Sequence, residues 1–299
     1  MNDRNQSLEI QLSTNITEAE WALRVQLAAA YRLVDYYGWS EQIYAHLTAR
    51  VPGPANHFLI NPYGLNYEEI TASNLVKIDV DGNVISGGRH TVNYAGFVIH
   101  SALHMVESQS NHVAMHTHTR AGMAVAALKE GLLNISMFST AFHNRLAYHD
   151  YEGAALRLDE RERIVKSLGT ARAMILRNHG LLAVGRTVPE TFLRLYRLER
   201  ACQVQVDAAA AGTLNIMSQQ LATQSGADLD TFQDSHPDGE GVGCLDGGSG
   251  RGLFHQQGRG ANVAQVEFEV LPGVVGVEGR AAGARGDGSE RGGHVRTVG

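Results

Sequence analysis

A chain of 299 residues has room for one large domain or two ordinary ones, and 43% hydrophobic against 19% charged residues is the balance of a globular protein. A net charge of −6 argues against a nucleic-acid or anionic-membrane partner, and no apolar run reaches membrane-spanning length. The polar start MNDRNQSLEIQL lacks the apolar stretch of a signal peptide, and Cys202 and Cys244 form no metal or redox motif, so a reducing cytoplasm is expected.

Composition divides the chain into an arm (1–16), one domain (17–225) and a Gly-rich tail (226–299). From Gly239 onward the chain holds 18 of the 33 glycines and no Lys, Ile, Met, Tyr or Trp. Such a stretch buries too little apolar surface to offset its chain entropy, so disorder is expected, with Val263–Val277 as the one patch able to form a short strand. In the domain, Thr17 and Glu20 form a capping-box pattern. It opens a helix with Leu23, Leu27, Ala30, Tyr31 and Val34 on one face, stopped at Gly38. Short strands follow at Ile43–Val51 and His57–Ile60, the latter leading into the turn Asn61-Pro-Tyr-Gly64. Val76–Val80 and Val84–Ile85 flank Asp81-Gly82-Asn83 as a hairpin. Asn93–Val106 reads as a helix whose His100 and His104 share an apolar face. That setting favours buried, hydrogen-bonded histidines over metal ligands.

Next comes Val113-Ala-Met-His-Thr-His-Thr119. In an extended segment His116 and His118 project from one face about 7 Å apart, within reach of one cation. Thr119 caps a helix expected over Arg120–Glu130. Tyr148–Gly153 reads as a loop carrying His149 and Glu152, and Asp159 is expected to cap a helix ended by Gly169. Ala173–Leu176 and Leu181–Val184 are strands around the turn Asn178-His-Gly180. A final capping box, Thr187 to Glu190, starts a long helix reaching about Ala211. Interleaved helices and hairpins make this an α/β domain with a mixed, largely antiparallel sheet. His179 on the turn joins the H-x-H pair as a third imidazole. Three histidines leave a tetrahedral zinc one open position, the arrangement of a catalytic site.

The segments MHTHT, Asn134-Ile-Ser136, Tyr148–Gly153 and Leu176–Gly185, with Phe58–Gly64, Ile70–Ser73 and Val92–Phe97, occur in an order that resembles the class II aldolase and adducin family from about Thr17 to Ala211. The resemblance implies a three-layer α/β/α sandwich and a homotetramer with sites at subunit interfaces. It also implies Zn2+, or another divalent metal, on His116, His118 and His179. The implied chemistry is lyase cleavage of a small hydroxy-carbonyl, sugar-like substrate through a metal-stabilised enediolate. Three departures move the chain toward the adducin-like branch. Gly96 stands where the aldolases carry an acid/base glutamate, no tyrosine follows Asn134–Ser136, and Ile43–Leu47 with His90–Asn93 replaces their phosphate-binding loops. His149 or Glu152 is the candidate replacement acid/base. The alternatives are a non-catalytic, adducin-like binding or structural module of actin-cytoskeleton type, and an epimerase with the same metal site.

Overall fold

A computed structural model describes residues 16–234 apart from 54, 55, 89, 107, 108 and 156. The rest of the arm and the tail beyond Asp234, including the strand expected at Val263–Val277, lie outside the described residues. The helices are α1 (Glu18–Tyr36), α2 (Tyr94–Met105), α3 (Arg120–Ala126), α4 (Met137–Thr140), α5 (Glu160–Leu168), α6 (Val188–Ala211) and α7 (Gln219–Asp234). The strands are β1 (His46–Arg50), β2 (His57–Ile60), β3 (Val76–Asp79), β4 (Val84–Ser86), β5 (Val113–Thr117), β6 (Leu146–His149), β7 (Ala173–Leu176) and β8 (Gly180–Gly185). They form one sheet in the order β4-β3-β2-β1-β5-β8-β7-β6, antiparallel throughout except for β6 beside β7.

Alternation along the strands divides the buried side chains between two faces. Leu47, Ala49, Met115, Ile175 and Ala183 pack against Leu27, Tyr31 and Val34 of α1 and Phe192, Leu195 and Leu198 of α6. Phe58, Ile60, Ala114, Met174 and Leu182 pack against Phe97, Val98 and Leu103 of α2 and Ile164 and Leu168 of α5. Each of the larger of these side chains contributes about 1.5–3 kcal/mol on burial, so the two cores fix the three-layer α/β/α sandwich. Strand β5 runs through its middle, between β1 and β8. His46 lies directly opposite His116 on one side, and Leu182 opposite it on the other.

The chain enters β1 through Ala45, whose φ is +67°. The Tyr31 hydroxyl steadies this entry. It donates to the Leu47 carbonyl (2.5 Å) and accepts from the backbone N–H of Leu47 (2.8 Å) and of Asn61 (3.2 Å).

Several local expectations are corrected. Glu20 does not close a capping box, although Thr17 accepts from its N–H. Its buried carboxylate instead binds Arg24 at 2.9 Å and Lys77 at 2.8 Å. Asp159 takes the N-terminal position of α5 without a cap bond, its carboxylate lying 3.3 Å from Arg163 instead. Helix α3 ends at Ala126 rather than Glu130, and His149 lies in strand β6 rather than a loop. Helix α7 continues past position 225, where the tail was expected to begin. Asp230 binds Arg145 at 2.7 Å and Arg172 at 2.5 Å, which holds the helix against the end of the sheet. Among the described residues no helix is long and apolar enough to cross a membrane.

Candidate metal centre

The strand ends at Thr117, so the H-x-H pair straddles its exit. His116 belongs to the ladder and faces the α2 side, while His118 is the first residue beyond. The β7–β8 connection brings the third ring. Asn178 is left-handed (φ +55°), and the His179 N–H donates to the Leu176 carbonyl (3.1 Å), turning the chain back in four residues. Gly180 makes the approach possible. A Cβ there would run into the Thr117 carbonyl oxygen and come within 3.2 Å of the His118 ring and 3.3 Å of the His116 ring.

The three imidazoles converge. Nε2 of His118 lies 2.7 Å from Nε2 of His116 and 2.9 Å from Nε2 of His179, and the three ligand atoms lie within 4.8 Å of one another. Nδ1 of His116 is 2.7 Å from the Leu181 carbonyl. A carbonyl only accepts, so that nitrogen carries the proton and Nε2 turns its lone pair toward the other rings.

All three rings are held neutral. Burial is the largest cause for each. His118, His179 and His46 push His116 further below 6.5, against a smaller opposing pull from Leu181. His179 is brought to about 4, His118 adding to burial, and His118 itself is lowered by burial against the charge of Glu41. Nε2 of His118 and of His179 can meet that of His116 as an N–H donor or as a lone pair, according to tautomer, and with all three lone pairs turned inward the rings would repel unless a cation drew the electrons in. The donor set therefore fits a divalent metal such as zinc, which binds neutral imidazole at about 2.0–2.1 Å.

The other expected site residues lie beside this centre. A small cleft is lined by His179, His149, Tyr151, Glu152, Glu160 and Arg177, among others. Glu152 is engaged at both oxygens by Arg163 (2.8 and 2.6 Å), which holds its carboxyl below the ordinary range. His149 shares a 3.0 Å hydrogen bond between Nδ1 and the Ser167 hydroxyl. Its Nε2 has no hydrogen-bond partner and lies 3.5 Å from Glu160. Arg161 on α5 reaches the Val80 carbonyl at 3.1 Å.

His100 and His104 are buried and hydrogen-bonded as expected, sharing the Thr48 hydroxyl at 2.7 and 2.8 Å. Sequence reasoning missed Ser167, Glu160 and above all His46. The signal for His46 was an imidazole within an otherwise apolar strand pattern, inside the segment that departs from the phosphate-binding loops.

Comparisons with known proteins place the fold in a family. The family profile described as Class II Aldolase and Adducin N-terminal domain matches residues 25–206. An aldolase II superfamily protein from Pseudomonas syringae has a similar structure: TM-score 0.68, 50% identity, 70% of this chain and 86% of that one covered. L-fuculose 1-phosphate aldolase from Glaciozyma antarctica PI12 superposes with TM-score 0.66 at 30% identity, covering 80% of this chain and 97% of that one. Alpha-adducin of Rattus norvegicus is 44% identical over 67% of this chain, which spans only 28% of that protein.

Proposed function

The chain belongs to the class II aldolase and adducin family, and from that premise we propose that it is a divalent-metal-dependent aldolase-like lyase acting on a small hydroxy-carbonyl compound. The observation that carries this reading is the convergence of His116, His118 and His179, with His116 oriented by the Leu181 carbonyl. A zinc ion held there would supply Lewis-acid stabilisation of the enediolate formed as a carbon–carbon bond breaks. His149 is the chain's own candidate for moving the proton. It lines the cleft beside His179, Ser167 fixes its ring, and Nε2 is free of hydrogen bonds, whereas Glu152 is tied to Arg163. Homotetrameric assembly and a cytoplasmic setting are part of the same proposal.

Metal analysis of the purified protein tests it, together with a retro-aldol assay over small hydroxy-carbonyl compounds. About one zinc per chain is expected, lost with activity in His116→Ala. His149→Gln is expected to keep the metal while turnover falls by about 10²–10⁴, the usual contribution of an acid/base. A metal-free, folded, inactive protein supports a second reading, an adducin-like non-catalytic module. That reading is favoured by Gly96, which offers no acid/base side chain on α2, and by the identity with alpha-adducin.

A further inference from the structure

His46 is a fourth buried imidazole beside the centre, and neither of its ring nitrogens has a hydrogen-bond partner. It opens β1 directly across the ladder from His116, so the two side chains leave the sheet on the same face. Their rings lie nearly parallel with centroids 6.5 Å apart, against 4.5–4.8 Å within the triad. His100 meets His46 edge-on at 5.8 Å. A third wall is the backbone of Gly96, in the first turn of α2. A Cβ built there falls 2.5–2.6 Å from three atoms of the His46 ring. The imidazole therefore fills the space from which a side chain at position 96 would extend. Any residue but glycine at 96 would drive the ring out.

A buried ring with both nitrogens unpaired requires an explanation beyond packing, since an apolar side chain would fill the space without the desolvation penalty. Three histidine ligands leave a tetrahedral cation one further position. We propose that His46 is the fourth nitrogen donor for a cation held by the triad, its imidazole filling the position that the three ligands would leave open. In the structure the His46 ring stands outside the triad, 6.5 Å from the His116 ring, so ligation would require the side chain to rotate off Gly96 toward the cation. The open position of the triad is thereby closed at rest by a ligand from β1, in place of a side chain from α2. This inference rests on the reading that the triad holds a divalent cation.

The test is zinc affinity of the full-length protein, by competition with a chromophoric chelator, together with the d–d absorption of the cobalt-loaded form. His46→Ala and His46→Phe are expected to weaken zinc binding at least about tenfold and to lower the cobalt absorption, as water replaces the fourth nitrogen. His46→Phe decides the matter if His46→Ala does not fold. Wild-type affinity and absorption in the His46 variants would overturn the inference. If His116→Ala then still abolishes binding, the triad reading stands without it. Failure of the wild-type protein to bind zinc would remove both.

Discussion

Gly180→Ala is the smallest change that should reach the metal centre without touching a ligand. The new methyl would point at the Thr117 carbonyl oxygen, far inside the 3.0 Å that real Cβ atoms respect, and toward the rings of His118 and His116. That oxygen is backbone, so the clash cannot be relieved by rotating a side chain. Strands β5 and β8 must separate where Thr117 pairs with Leu181 and where the Leu181 carbonyl orients His116. Overpacking of this kind costs about 1–3 kcal/mol, so the urea midpoint of the metal-free protein should fall accordingly. Loosening the His116–carbonyl bond should weaken zinc binding by about 10–100-fold, the usual effect of losing such an orienting partner. Chelator competition measures the second effect on the same samples. A variant with lower stability but unchanged affinity would refute the coupling between strand spacing and ring geometry. Unchanged values of both would refute the steric argument itself.

Tyr31→Phe removes one hydroxyl but leaves the backbone N–H groups of Leu47 and Asn61 buried without that partner. At about 1–3 kcal/mol for each of the two unsatisfied donors, a loss of roughly 2–6 kcal/mol is expected in urea denaturation. A loss below about 1 kcal/mol would show that β1 is held by other means. Asp230→Asn should release α7, read as faster amide exchange across Gln219–Asp234 with the sheet's protection unchanged. Burial raises the Asp230 pKa, but Arg172 and Arg145 outweigh it and hold the carboxyl below its ordinary 3.8. Its contribution is therefore full above that value and is lost as pH falls through the lower folded pKa. Equal exchange in the variant and the wild type at neutral pH would show that α7 docks without this ion pair.

The convergence of the three imidazoles was legible because its signals are local. A spacing of two residues aims His116 and His118 together. The Asn-His-Gly turn announces a left-handed residue and a close backbone approach, found at Asn178 and Gly180. The layered sheet was legible for the same reason, since alternation at Val76–Asp79 and caps at Thr119 and Thr187 depend on neighbours within a few residues. Strand β6 escaped because four residues with half-buried flanks carry little periodicity, and its parallel pairing to β7 is set by packing 27 positions downstream (Leu146 opposite Ala173). Helix α7 escaped because its docking depends on ion pairs to Arg145 and Arg172 that no periodicity encodes.

The acid/base candidates separate along the same line. His149 and Glu152 are equivalent in sequence, each a titratable group downstream of the metal pair. Arg163, eleven residues on, engages both oxygens of Glu152, while His149 keeps one nitrogen free of hydrogen bonds. His46 shows the converse. In sequence it is a lone histidine in a strand, and its meaning appears only when Gly96, fifty residues away, proves to be the floor beneath its ring. A sequence names the groups able to bind a metal or move a proton. Which of them keep a nitrogen free of hydrogen bonds is decided by contacts distant in the chain, and here those contacts turn attention from Glu152 to His149 and from position 96 to His46.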